Sequence, residues 1–123
     1  MLKIRLTGMV AALVTMCFGV LAHAQVVVIT NPTRVGPADT TISTPGGAVP
    51  LVSADLVVRG TTLTISGSHF VRSLTVERAG DAPGIVTHDP GFTQGMQLVL
   101  AFNLVVQGST GGVASRIDAS GRG

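Results

Sequence analysis

The sequence predicts an all-β fold: short strands stacked as a parallel β-helix after an N-terminal signal helix, with a small β-sandwich as the alternative. Three observations lead there. After residue 50, short runs of alternating apolar and polar residues recur, each closed by Gly, Pro, Asp or Ser. Their apolar members keep near-regular spacing, 11 residues from Leu63 to Leu74, 12 from Leu74 to Val86 and 13 from Leu104 to Ile117, with no helical stretch between. Large rings are scarce, with no Trp, no Tyr and four Phe in 123 residues. Sandwich cores usually contain such rings, whereas a solenoid stacks Thr, Val, Leu and Gly on the coil before.

The chain opens as an export signal. Lys3 and Arg5 give a basic start, and an apolar stretch from Met9 to Leu21 is interrupted only by Thr15 and Gly19. It ends at Ala22-His23-Ala24, small residues at −3 and −1, so cleavage is expected between Ala24 and Gln25. The run is too short to cross about 30 Å of hydrocarbon comfortably, and no stop-transfer charges follow. No stable membrane span is therefore expected after cleavage. Cys17 is preceded by Met16, where lipoprotein processing needs a small side chain. The expected localisation is secreted, periplasmic or cell-surface.

Cleavage rewrites the charge balance. The basic residues left are Arg34, Arg59, Arg72, Arg78, Arg116 and Arg122, set against Asp39, Asp55, Glu77, Asp81, Asp89 and Asp118. The balance is zero and no Lys remains, so the basic pI of about 9.5 belongs largely to the signal. Nucleic acid, which needs clustered Lys and Arg, is excluded as a partner. With Cys17 gone there is no Cys for a disulfide or a zinc cluster.

Residues 25–50 read as a leader or linker. Val26 to Ile29 suits a first short strand, but Pro32, Pro37, Pro45 and Pro50 with Gly36, Gly46 and Gly47 deny ladder donors at close intervals. Residues 51–123 read as a β-repeat region, an incomplete solenoid. Leu56-Val57-Val58 leads through Arg59-Gly60 into Thr61–Ser66, where Leu63 and Ile65 alternate with Thr62, Thr64 and Ser66. Ser73–Glu77 repeats the alternation with Leu74 and Val76; Arg78–Gly84 has turn composition; Ile85–His88 is a further strand stopped by Asp89-Pro90-Gly91. Gln97–Gln107 reads as extended chain with Leu98, Leu100 and Phe102 on one face, a parity that Leu104 and Val106 continue. Ser115–Ser120 is the last strand-like segment.

The run from Leu56 to Gly123 resembles a recurring unit of large secreted bacterial surface proteins with a right-handed parallel β-helix, adhesin-like in character. The resemblance rests on Gly67-Ser68-His69-Phe70, Leu74-Thr75-Val76, Thr87-His88 and Ile117–Gly123, and covers a little over half the chain. It implies an N-terminal or truncated piece of a longer exported solenoid, an architecture rather than an activity. Nothing after Arg116 reads as a polar cap, so an exposed apolar end, marginal stability and self-association through an open solenoid edge are expected.

Candidate chemistry is thin. His69 and His88 lie 19 residues apart, about one coil, so they are weak candidates to stack and share a metal with Asp89 as third ligand. The competing reading has both ending strands and bonding to turn backbone, and it is preferred; no metal and no cofactor are expected. Ser68-His69 does not make a hydrolase pair, because neighbours on a strand point to opposite faces, and no Gly-x-Ser-x-Gly elbow occurs. The acids are scattered rather than paired for glycoside hydrolysis, and Gly46-Gly47 and Gly111-Gly112 lack the Lys-Ser/Thr of a phosphate loop. Asp118 and Arg122 are expected to brace one structural turn. The leading expectation is an exported structural or interaction protein with no catalytic activity of its own, meeting a surface or polysaccharide ligand. Its alternatives are the non-catalytic start of a β-helix enzyme acting on polysaccharide, and a small secreted β-sandwich binding module.

Overall fold

A computed structural model of the chain describes residues 24–108 and 114–119. The expected signal helix, Cys17 and Arg122 lie outside the described residues. Within them the chain is all-β. Its first strands are β1 (Gln25–Ile29) and β2 (Thr33–Val35), followed by a hairpin of β3 (Thr41–Thr44) and β4 (Gly47–Pro50) and a 3-10 turn, Leu51–Ser53. Then come β5 (Ala54–Arg59), β6 (Thr62–Ile65), β7 (Gly67–Val71), β8 (Ser73–Glu77), β9 (Ile85–His88), β10 (Met96–Leu100), β11 (Leu104–Val106) and β12 (Arg116–Asp118).

These strands sort into sheets by position in a repeated circuit. β1, β5, β8 and β11 form one sheet in that order; β2, β6, β9 and β12 form a second; β7 and β10 form a third. Every pair in these three sheets is parallel, and only β3–β4 is antiparallel. A small sandwich is built from antiparallel sheets, so its pairing is not the one found here. Consecutive strands are never partners, except in the hairpin. Each strand pairs with one from the next circuit, at separations such as 18 residues between Asp55 and Ser73, 29 between Ser68 and Gln97 and 31 between Gly84 and Ser115.

Alternation along each strand decides what faces the core. Val27, Leu56, Leu74 and Leu104 are successive register partners, as are Ile29, Val58, Val76 and Val106. Thr33, Leu63, Val86 and Ile117 form the matching ladder in the second sheet. Buried members of these ladders join one apolar cluster, against which Met96, Leu98 and Leu100 pack from the third sheet. Because the side-chain period is two, a slip of one residue in any strand would turn its apolar set outward, and so the burial pattern fixes the register.

Residues 25–50 depart from the expected leader. β1 and β2 are full members of the first two sheets, and Val27, Ile29, Val35, Ile42 and Val49 all belong to the core. The prolines are accommodated because they fall between elements or at their ends: Pro32 and Pro37 flank β2, Pro45 sits in the hairpin turn and Pro50 ends β4. In the first circuit no strand occupies the third sheet. The 3-10 turn packs on β7 in its place, with Pro37 beside it. Gly67 permits that approach, since its φ is +80° and a Cβ there would lie 2.9 Å from Cα and Cβ of Pro37. Leu51 N–H donates to the Thr40 carbonyl at 3.0 Å and closes the base of the hairpin.

The stretch 97–107 also differs from its reading as one extended run. The chain turns at Ala101–Asn103 from the third sheet to the first, where Ala101 N–H donates to Val71 O at 3.1 Å and Phe102 N–H to Arg72 O at 2.9 Å. The corner breaks the parity. Phe102, expected to share a face with Leu98 and Leu100, is exposed.

Candidate functional site

The histidines do not form the shared site considered from their spacing. His69 sits within β7, in register with Leu98, whereas His88 ends β9 in a different sheet, in register with Ile65. Both are buried on the core side of their strands. A ring nitrogen of His69, Nε2, lies 2.8 Å from the Ser66 carbonyl and ties the imidazole to the corner between β6 and β7. Asp89 points away from this arrangement, forming an ion pair with Arg34 at 3.1 Å and accepting a hydrogen bond from Gly91 N–H at 2.9 Å. Among the described residues no group of three or more His, Cys, Asp or Glu side chains is placed to hold a metal. The misfit has a simple cause: circuits vary from 18 to 31 residues because turns and the hairpin are inserted, so a separation of 19 does not guarantee stacking.

Asp118 lies on β12 rather than in a turn. Its Oδ2 accepts from Arg116 Nε at 3.4 Å, and its carbonyl accepts from Thr87 Oγ1 at 2.9 Å. Gln25, the expected first residue after cleavage, already occupies a paired position opposite Ala54, with Ala24 just outside the strand.

A polar cluster that sequence reasoning did not single out occupies the corner where the third sheet turns into the first. Arg72 Nη1 donates to both carboxylate oxygens of Asp55, at 2.9 and 2.7 Å, and Ser73 Oγ donates to the same carboxylate. The Arg72 guanidinium lies 4.6 Å from the centroid of the Phe102 ring, within cation–π range. These residues come from three successive circuits, so the cluster runs along the stack as a brace. Arg59 and Glu77 form another, from register-paired positions of β5 and β8. Ser68 and Gln97 bond across β7 and β10 at 3.1 Å. One signal was present in the sequence: Asp55–Ser73 and Arg59–Glu77 share an 18-residue separation. It becomes legible only when that separation is known to be one circuit.

The two ends of the stack are unlike. At the first circuit the hairpin lies over the core: Ile42 and Val49 are register partners, and both are buried in the cluster that holds Val27, Ile29 and Val35. The hairpin turn leaves shallow clefts beside β1, the larger about 530 Å³, lined by Val26, Val28, Thr44 and Pro45. At the last circuit the same ladders lose their cover. Leu74 is 0% exposed and its partner Leu104 51%; Val76 is 0% and Val106 40%; Val86 is 0% and Ile117 39%. β10, β11 and β12 are each the terminal strand of their sheet, so a row of strand-edge backbone accompanies this apolar end.

Among the described residues, no helix is long and apolar enough to cross a membrane. Comparisons of the chain with known protein families, curated proteins and solved structures return no match.

Proposed function

We propose that this chain is an exported structural or interaction protein, the opening coils of a parallel β-helix of adhesin-like character, with no catalytic activity of its own. One observation carries the reading: strands from successive circuits stack in parallel and in register, in three sheets around one core. A β-helix makes this pattern by winding, because each coil lays a strand on the same sheet of the coil before it. The corner and cross-sheet pairs support it. Arg72, Arg59 and Arg34 are engaged with carboxylates of other circuits, so their charges hold the stack together.

Export is the other half of the reading and rests on Lys3, Arg5, the apolar run to Leu21 and the Ala22-His23-Ala24 site. A surface or polysaccharide ligand would meet the outward face of β7 and β10. There exposed Phe70 lies in register with Val99, and Ser68 with Gln97, giving an apolar strip edged by hydrogen-bonding groups. The test is to express the full chain in a bacterium competent for Sec export, fractionate the cells and sequence the N-terminus of the product. A periplasmic or extracellular product starting at Gln25 is expected. A cytoplasmic product retaining Met1 would refute the export reading.

A further inference from the structure

The turn that carries the chain from β9 to β10 holds a peptide bond whose neighbours suit it to break. We propose that this bond, Asp89–Pro90, is a self-cleavage site, cut in mild acid by the Asp89 side chain, with Arg34 and the Gly91 N–H positioning the carboxylate. The inference goes beyond the structural reading above by adding a processing step. A chain that cuts itself once turns over no substrate, so the two are compatible.

Three observations select this bond. First, it joins the one Asp–Pro pair of the sequence; Asp39, Asp55, Asp81 and Asp118 are followed by Thr, Leu, Ala and Ala. The proline nitrogen belongs to a tertiary amide with no N–H, and once protonated it leaves more readily than an ordinary amide nitrogen. Secondly, the carboxylate is held at both oxygens. Oδ1 accepts from Gly91 N–H at 2.9 Å and Oδ2 from Arg34 Nη1 at 3.1 Å. Each oxygen keeps a lone pair for attack, and a five-membered ring closure brings it to the main-chain carbonyl carbon of its own residue. Only the folded stack brings Arg34, from β2, to this turn. Thirdly, Phe92 N–H donates to the Asp89 carbonyl oxygen at 3.1 Å, closing a turn with Asp first and Pro second. That oxygen gains negative charge when its carbon is attacked, and a donor already aimed at it favours the step. Pro90 and Gly91 are exposed, so water and acid reach the bond.

In the step, a carboxylate oxygen of Asp89 forms a bond to the Asp89 carbonyl carbon, and the bond from that carbon to the Pro90 nitrogen breaks. The electron pair of the broken bond goes to the nitrogen, which takes a proton from the acidic medium and leaves as a secondary amine. Asp89 is left as a cyclic anhydride, which water opens to a C-terminal aspartic acid. Nothing is oxidised or reduced, and the sum is the addition of one water. The charged and titratable groups around Asp89 are Arg34 on β2, His88 on β9 and Asp118 on β12, in register with Thr87; β6 brings none. The cut separates β1–β9 from β10–β12, which stay attached through their parallel ladders with β7, β8 and β9.

The test incubates the full chain at about pH 4, where acid can protonate the leaving nitrogen, and at neutral pH. Intact mass spectrometry and N-terminal sequencing follow the products, and far-UV circular dichroism follows the fold, whose β spectrum is expected to persist in acid. Two pieces are expected in acid and none at neutral pH. One piece ends at Asp89, the other begins with Pro90, and their masses sum to the parent plus one water. The folded chain is expected to be cut roughly 10-fold or more faster than the same chain in denaturing guanidinium at the same pH, since the fold supplies the positioning. Asp89→Asn, which lacks the attacking carboxylate, and Pro90→Ala, which restores an ordinary amide, are expected to stay intact. Arg34→Ala is expected to slow the cut roughly 3- to 10-fold with an unchanged spectrum, and Arg34→Lys, which keeps a charged donor, to recover part of that rate. An intact wild-type chain, or one that loses its β spectrum at the acidic pH, would overturn the proposal. So would a cut as fast in guanidinium as in the folded chain, an Asp89→Asn or Pro90→Ala chain cut like the wild type, an Arg34→Ala chain cut at the wild-type rate, or no recovery with Lys.

Discussion

The first and last circuits are built from the same kinds of residue in the same ladders, yet one is closed and the other open. Val27 and Leu104 stand at opposite ends of a single ladder whose middle members are Leu56 and Leu74. Val27 is buried because ten residues were inserted before the second circuit and folded back as β3 and β4, with Ile42 and Val49 turned inward. Leu104 has no such cover among the described residues. In a stack where each coil is covered by its neighbours, hydrophobicity alone buries only the interior coils. The ends need a device of their own.

The largest test of that contrast compares one ladder with itself. Leu74→Ala is expected to cost about 2–5 kcal/mol in urea unfolding, for a fully buried Leu losing its transfer energy and leaving a cavity. Leu104→Ala, measured in dilute solution, is expected to cost less than about 1 kcal/mol, since half of its surface is already in water. Equal losses at the two positions would mean that the last circuit is covered after all. Gly84→Ala addresses the interior from the backbone side: a Cβ there would lie 2.6 Å from the carbonyl oxygens of both Glu77 and Val58. A loss of about 2 kcal/mol or more is expected, with no rescue by lower temperature.

Opening the capped end is the next step down in stability and the most informative for assembly. Ile42→Asp, placing a carboxylate in the buried face of the hairpin, is expected to expose the first circuit and produce concentration-dependent larger species, seen by light scattering. If the variant remains no larger than the wild type, the hairpin is not what limits growth. Smaller effects are expected along the corner brace. Arg72→Ala removes an ion pair and a ring contact that are only partly shielded from water, 33% and 20% exposed at the two side chains, so the loss is expected near 1 kcal/mol and reduced by salt. Arg34→Ala, in a pair whose arginine is 71% exposed, is expected to change stability by less than about 0.5 kcal/mol.

Some of this was legible in the residues. Alternation at Thr62–Ile65 and Ser73–Glu77 marked β6 and β8 and identified their inward members, because a half-buried strand writes its two faces directly into the sequence. The turn at Arg78–Gly84 was marked by its composition, and the bridge between Ala79 and Ala82 closes it. Residues 25–50 read locally as a spacer because their prolines and glycines are local signals, whereas the pairing of β1 with β5 is made 29 residues away, as Gln25 with Ala54 shows. Phe102 leaves the face of Leu98 and Leu100 for a related reason, and for the same reason His69 and His88 fall in different sheets despite a spacing near one circuit. Which residues share a face depends on where a corner falls, and which residues stack depends on how long a circuit is.

The sequence by itself determined the strand segments, their buried faces and the neutral, Cys-free character of the chain after Ala24. Those properties depend on residue identity and on neighbours one or two positions away. Only the tertiary structure decided the parallel order of the sheets, the corner brace of Asp55, Arg72 and Phe102, and the difference between a closed first circuit and an open last one. The first two arise from contacts between residues 17 or more positions apart, where the turns between strands set which side chains meet, and the third from how the β3–β4 hairpin lies on the first circuit.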